Sequence, residues 1–254
     1  MSIKIEKEPI YNQIKDTSAA YENLTIRGLQ ESLTTNITTV GFTDTQPIIM
    51  FNSTTALQVV STSTDDAAGG IGAQKIRVSG LYSDAGDNNK YKPRVAEFAM
   101  NGTTTVSSAS SGTNLFSIIN KVEMVDNGTG NCNQGDIKVF RTGTTNLMGF
   151  IKATYSHSHA FFFGVSDSKT LLIKDLHLSC FAQTACIIKI YTQNLITGAR
   201  VLNTQILITD TTTHINHQLN LKINSNLVVF AHVSNLETII GSNFITMNAS
   251  TLLI

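Results

Sequence analysis

The sequence contains no tryptophan, only three prolines and few charged side chains, which supply 14% of its 254 residues. Basic and acidic residues balance at 18 each, so the formal net charge is zero. A nucleic-acid partner would require a basic stripe that neutralises phosphates, and this balance argues against one. A neutral chain also lacks the long-range repulsion that keeps copies apart, so electrostatics does not oppose self-association.

Long apolar runs are missing as well. No stretch approaches the roughly 18 consecutive apolar residues of a membrane-spanning helix. The opening MSIKIEKEPI has no apolar segment after its charges, so we expect no signal peptide and synthesis in the reducing cytoplasm of a cell. Cys132, Cys180 and Cys186 form no Cys-x-x-Cys pair. We expect reduced thiols that pack as small apolar side chains, with a cross-strand contact between Cys180 and Cys186 as the alternative.

Ser, Thr and Asn are abundant and together supply about 30% of the residues. With the many Ile, Val and Phe residues, this composition suits pleated strands and their turns. Runs with a period of two recur from residue 33 onward. The clearest is 214–223, in which polar residues alternate with Ile215, His217, Leu219, Leu221 and Ile223. The pattern predicts an all-β fold of one or two antiparallel sandwiches, jelly-roll-like in arrangement.

Residues 1–30 differ from the rest of the chain. Ile10 and Ile14 are spaced as on one face of a helix, Pro9 suits its first turn, and Gly28 could end it. A short helix and an extended arm that reaches a neighbouring subunit are the two interpretations. We divide the remainder into sandwich parts at 31–145 and 146–254, with one continuous domain as the alternative.

The histidines are the only candidate metal ligands or bases. His157 and His159 are two residues apart, which places both rings on one face of a strand. With His177 or Asp175 as a further ligand they could bind zinc. A His-x-His pair alone is weak evidence for a metal site, and a polar strand face or loop is the favoured interpretation. We therefore predict no metal, no cofactor and no catalytic residue.

The acidic pair Asp84 and Asp87 lies in the loop SDAGDNN, which has a partial likeness to a calcium loop. The loop lacks the closing glutamate and the alternating spacing of ligands that such loops use. A long hairpin loop is therefore the favoured interpretation.

Aromatic residues give the best indication of an interface. The run Phe161–Phe163 directs rings to both faces of a strand, and one of these faces would be exposed unless a second sheet or subunit covers it. We group this run with the 82–94 loop and the N-terminal arm. The predicted interface residues are Ile10, Ile14, Tyr82, Tyr91, Phe161, Phe162 and Phe163.

Turn-and-strand motifs occupy the middle of the chain, roughly residues 60–210. They are Ser63–Ala73 with Asp66, Ala67, Ala68, Gly69 and Gly72; Gly80-Leu81; Met100–Thr104; Phe116–Asn120; Asn133–Ile137; and Val165, Lys169 and Thr170. This set resembles a family of virion structural proteins found in marine tailed phages and large algal DNA viruses. The chain departs from the family pattern at Gly70-Ile71, at Ser166 in place of a proline, and in its long 83–94 loop.

The resemblance implies a capsid or virion-surface component with no catalytic residues. We therefore expect a non-enzymatic structural protein of the virion: a minor capsid, penton or decoration component. Its partners would be other capsid proteins and copies of itself. The alternative is a receptor-binding module of a tail or fibre head that recognises a host surface glycan.

Overall fold

The computed structural model describes residues 22–30, 38–39, 54–87, 90–108, 115–158, 160–181, 185–209, 212–235 and 244–254. Over these ranges the protein is all β, which confirms the predicted fold class. Its one helical element there is a short 3-10 turn at Ala85–Asp87. Among these same residues no helix has the length and apolar character to cross a membrane.

The first sandwich lies between residues 54 and 158 and packs two sheets over one core. One sheet has the strand order β5-β4-β8 and the other β10-β9-β3-β6, with β7 also paired to β3. The strands are β3 (Thr55–Ser61), β4 (Ala73–Asp84), β5 (Lys90–Ala99), β6 (Val106–Ser107), β7 (Leu115–Phe116), β8 (Ile118–Asn127), β9 (Ile137–Arg141) and β10 (Leu147–Ile151). Alternate residues of β3, β4 and β9 face inward and are fully buried, which gives both sheets an apolar inner face.

The second sandwich contains the other strands and a separate core. Its sheets have the orders β1-β17-β12-β15 and β11-β16-β13-β14, with the short β2 beside β16. The strands are β1 (Glu22–Gln30), β2 (Thr38–Thr39), β11 (Phe162–Gly164), β12 (Leu171–Phe181), β13 (Cys186–Asn194), β14 (Arg200–Ile208), β15 (Thr212–Ile223), β16 (Leu227–Asn235) and β17 (Phe244–Leu253). In β15 the predicted alternation is confirmed, because His214 to Lys222 alternate between exposed and half-buried positions.

The first sandwich is an insertion in the second. Strand β1 pairs antiparallel with β17 from Glu22 opposite Leu253 to Gln30 opposite Ile245. The chain then passes through the first sandwich and returns at β11. The described strands of the second sandwich pair in a nested order: β1 with β17, β11 with β16, β12 with β15 and β13 with β14.

This arrangement differs from the predicted division of the chain. The part of the predicted N-terminal helix that the structure describes is strand β1, and Gly28 lies within it opposite Met247. The predicted boundary at residue 146 falls in the β9–β10 hairpin, whose two strands pair within the first sandwich. The chain crosses to the second sandwich only between β10 and β11. Ile10 and Ile14 lie outside the described residues.

Candidate functional site

The motif Ser63–Ala73 surrounds a buried carboxylate. Asp66 is fully buried, and its two oxygens accept four hydrogen bonds. Oδ1 accepts from the backbone N–H groups of Ala73 and Gln134, each at 2.8 Å. Oδ2 accepts from the Gly135 N–H at 2.9 Å and from the Ser61 hydroxyl at 2.5 Å. We call Asp66 and these four partners the aspartate hub.

The glycines of this motif allow the chain to approach the carboxylate closely. A Cβ atom on Gly72 would lie 2.1 Å from Asp66 Oδ1, and one on Gly70 would lie 2.2 Å from the Asp65 carbonyl oxygen. Both distances are too short for any side chain. Gly69 has a φ of 80°, a conformation that glycine adopts without steric cost. Gly69 therefore lets the chain turn sharply just before β4.

A third loop joins the hub through its backbone. The Gly102 N–H donates to the Asp66 carbonyl oxygen at 2.7 Å, and the Ser61 N–H donates to the Gly102 carbonyl oxygen at 3.0 Å. An Asn-Gly pair such as Asn101-Gly102 favours a hairpin turn. It is a turn, but β5 and β6 on its two sides belong to different sheets, so it carries the chain from one sheet to the other. The hub thus ties three loops of the first sandwich together.

Two of the histidines proposed as zinc ligands, His157 and His177, lie in different sandwiches. His157 lies in the first sandwich, in an isolated bridge to Glu123. His177 is exposed on β12 of the second sandwich, where its register partners on the two neighbouring strands are Asn216 and Asn248. His159 lies outside the described residues. Among the residues that the structure describes, no group of three His, Cys, Asp or Glu side chains could hold a metal ion.

The acidic pair Asp84 and Asp87, at the end of β4 and in the turn after it, is neutralised by lysines. Lys92 Nζ lies 2.9 Å from Asp84 Oδ2 and 2.9 Å from Asp87 Oδ2, and Lys90 Nζ lies 3.2 Å from Asp87 Oδ1. The hydrogen bond from Lys92 is the largest cause that holds the pKa of both carboxyls below the usual range. The loop is the predicted hairpin, because Asp84 and Lys90 are register partners. It is shorter than the predicted 82–94 loop, because β4 continues to Asp84 and β5 begins at Lys90. Its carboxylates therefore serve as ion-pair partners at the surface.

The aromatic run at 161–163 is covered by the chain itself. Phe161 is fully buried in the second core, and Phe163 packs against the same core while half-buried. Phe162 points the other way and is 4% exposed. Its ring belongs to an apolar cluster shared by the two sandwiches, which we call the joint: Leu81, Tyr91, Ile118, Phe162, Leu195, Val228 and Phe230.

Hydrogen bonds complete the joint. The Tyr91 hydroxyl donates to the Leu195 carbonyl oxygen at 3.1 Å. The Asn120 side chain accepts from the Gly164 N–H at 2.7 Å and donates to the Gly164 carbonyl oxygen at 2.9 Å. The interpretation of Tyr91, Phe161 and Phe162 as a surface for another subunit is therefore corrected. Their surfaces are buried within one chain, where the inserted sandwich covers the second.

Tyr82 is the one remaining predicted interface residue of the 82–94 loop. It is partly exposed, and the Arg94 guanidinium lies 3.6 Å from the centre of its ring. Arg94 also donates to the Leu115 carbonyl oxygen at 3.1 Å. The contact holds the ring against β5 by a cation–π interaction. An interface role for Tyr82 stays a prediction.

His232 lies on the outer face of the β11-β16-β13-β14 sheet, beside the joint. Its ring centre is 5.2 Å from that of Tyr191 and 5.0 Å from that of Phe230. Burial lowers the pKa of His232 to about 4, and the charges of Arg200 and Lys189 add to the effect. The folded protein therefore holds this imidazole neutral under mildly acidic conditions.

We expect this histidine to make the protein sensitive to acid. An unfolded histidine titrates with a pKa of about 6.5. Because the pKa in the folded state is lower, the contribution of His232 is complete above pH 6.5 and declines as the pH falls towards 4. Thermal midpoints measured across this range should fall less steeply in His232→Gln than in the unmodified chain. His177→Gln, at an exposed position, should keep the original slope. Superimposable profiles for all three proteins would refute the assignment.

The sequence reasoning missed one surface feature. Strand β14 carries the large apolar side chains Val201, Leu202 and Leu207 in exposed positions. The sequence alone did not predict which strands lie at a sheet edge. The sequence did carry a signal for an unprotected edge strand, because the nine residues of β14 include one charge and no proline.

No family model matches the chain, and no curated protein matches it. The solved structures to which it is similar include infectious bursal disease virus of the Gt strain, at 10% identity over 94% of this chain and 73% of the other, with a TM-score of 0.22. The VP2 subviral particle of that virus is 10% identical over 94% of this chain and 76% of the VP2 chain, with a TM-score of 0.19. The structure of the Gx strain is 7% identical over 94% of this chain and 73% of the other, with a TM-score of 0.22. TM-scores of this size do not show a shared fold.

Proposed function

We propose that this chain is a structural protein of a virion, a component of the shell that acts through contacts and not through catalysis. The observation that carries the proposal is the strand connectivity of the second sandwich. When its strands other than β2 are numbered along the described chain, the two sheets have the orders 1-8-3-6 and 2-7-4-5. This nested order matches that of a jelly roll, a double sheet found in viral capsid proteins and also in lectins and cupins, and it supports the proposal.

The interior of this jelly roll favours a structural role over a ligand-binding one. The inward residues of β12 and β13 are fully buried and aliphatic, and they meet across the two sheets: Leu171, Ile173, Leu176, Leu178, Ile188 and Ile190. A core packed in this way leaves the outer faces, the loops and the sheet edges as the surfaces on which the molecule can act.

The inserted sandwich supports the same role. The joint buries apolar side chains of both sandwiches and adds hydrogen bonds from Tyr91 and Asn120. The two sandwiches are therefore held as one block. A rigid block suits repeated packing, because symmetric assembly needs the same contact geometry in every copy. Within the shell we assign the chain to a minor capsid, penton or decoration position, in keeping with its sequence resemblance.

The experiment is quantitative mass spectrometry of particles of the source virus, purified on a density gradient and washed with high salt. We expect this chain to stay with the particles at a constant ratio to the principal shell protein. A few copies per particle confined to a tail tip would instead indicate the receptor-binding alternative. Loss of the chain from washed particles would refute the structural role.

A further inference from the structure

Strand β14 lies at the edge of the β11-β16-β13-β14 sheet. It pairs with β13 on one side, and no described strand pairs with its other side. It runs for nine residues, has no proline, and has Arg200 at its first position as its sole charge. The edge of such a strand presents unpaired backbone N–H and C=O groups to which another strand can add.

Apolar side chains are concentrated along this edge. Val201 is 58% exposed, Leu202 47% and Leu207 53%. Ile196, in the turn that leads into the strand, is 51% exposed. These are four of the seven large apolar residues that are exposed in the described part of the chain. Exposed apolar side chains grouped on an edge strand indicate an interaction site.

Three other edge strands of the described residues, β5, β15 and β8, are protected in ways that β14 is not. Strand β5 carries Pro93 together with Lys90, Lys92, Arg94 and Glu97, and proline and charge on an edge both discourage further pairing. Strand β15 presents polar side chains outward and has a positive φ at Asn220. The free edge of β8 is occupied, because the Met124 N–H donates to the Ser156 carbonyl oxygen at 2.7 Å.

We propose that β14 pairs antiparallel with β14 of a second copy of this chain. The pairing would extend the β11-β16-β13-β14 sheet across a twofold axis into the neighbouring molecule. An antiparallel pair of nine-residue strands places the two Arg200 side chains at opposite ends, about 30 Å apart. That separation exceeds the Debye length of about 8 Å at physiological salt, so the two charges do not repel appreciably.

The size of the contact indicates how strong it can be. A strand about 30 Å long in a layer about 10 Å thick buries roughly 300 Å² on each copy. A stable interface typically buries about 800 Å² on each partner. The β14 contact alone therefore gives a weak dimer, and it becomes strong when many copies are held in one assembly. This inference rests on the proposed function, to which it adds a second copy as the partner.

The test uses sedimentation velocity of the purified full chain over a concentration series that extends to about 1 mM, where weak association is visible. The probe variant is Val201→Lys and the control is Val95→Lys. Val95 is also 58% exposed and also lies on an edge strand, β5. Because a lysine on an edge blocks pairing, we expect Val201→Lys to weaken self-association by at least about tenfold, and Val95→Lys to leave it unchanged. Leu207→Lys repeats the test at a second position.

Circular dichroism and thermal midpoints establish that the variants fold. A chain that stays monomeric at the highest concentration would overturn the proposal, and so would equal weakening by Val201→Lys and Val95→Lys. The two proposals can fail separately. Absence of the chain from particles would remove the virion role while association in solution stays measurable, and a strict monomer that is nevertheless present in particles would remove only the β14 pairing.

Discussion

Replacing Asp66 with alanine should lower the free energy of unfolding by roughly 3 kcal/mol or more. The carboxylate is fully buried and accepts from three backbone N–H groups and one hydroxyl. Alanine would leave these donors without an acceptor, and a buried donor that loses its partner costs about 1–3 kcal/mol. For a chain of this size we expect the Tm to fall by about 6–12 °C, as measured by differential scanning calorimetry.

The neighbouring residue supplies the control. Asp65 is also a carboxylate in the same turn, but it is exposed. Asp65→Ala should change stability by no more than about 0.5 kcal/mol. Asp66→Asn keeps one acceptor oxygen and presents an NH₂ group to the remaining donors, so it should also be strongly destabilising. Equal melting curves for Asp65→Ala and Asp66→Ala would contradict the structural role of the hub.

Replacing Phe162 with alanine should uncouple the two sandwiches. Its ring is 4% exposed and packs in the joint between residues of both cores. Truncating a buried phenylalanine costs about 3–5 kcal/mol, and here the loss falls on the contact that holds the sandwiches together. We expect one calorimetric transition to become two, since each sandwich has a core of its own.

Phe98→Ala is the matched control for this substitution. Phe98 is also 4% exposed, but it lies in the core of the first sandwich. Phe98→Ala should lower stability by a similar amount but leave the joint in place. The weakened first sandwich should therefore still unfold together with the second, in one calorimetric transition. If Phe162→Ala and Phe98→Ala give traces of the same shape, the joint does not couple the sandwiches.

The parts of the fold that the sequence predicted are those encoded locally. The alternation from Ile215 to Ile223 identified β15, because the side-chain period of a strand can be read from its own residues. The hairpin between β4 and β5 was also predicted, because its run of Asp, Gly and Asn residues favours a turn. Both features require no knowledge of the rest of the chain.

What the sequence did not predict depends on distant partners. Strand β1 was interpreted as part of a helix or arm, because its partner β17 lies at the other end of the chain. The motif around Asp66 could be recognised, but its acceptor role needs Gln134 and Gly135, which are 68 and 69 residues away. At Phe162 the direction of the ring followed from alternation, whereas the surface that covers it came from the inserted sandwich.

The central claim is that a jelly roll with an inserted sandwich serves as a building block of a virion shell. Cryo-electron microscopy of the purified particle tests it most directly. The account predicts shell density into which both sandwiches fit as one block at symmetry-related positions, with the strands of the second sandwich in the nested order described above. A reconstruction in which all shell density is filled by other chains would contradict it.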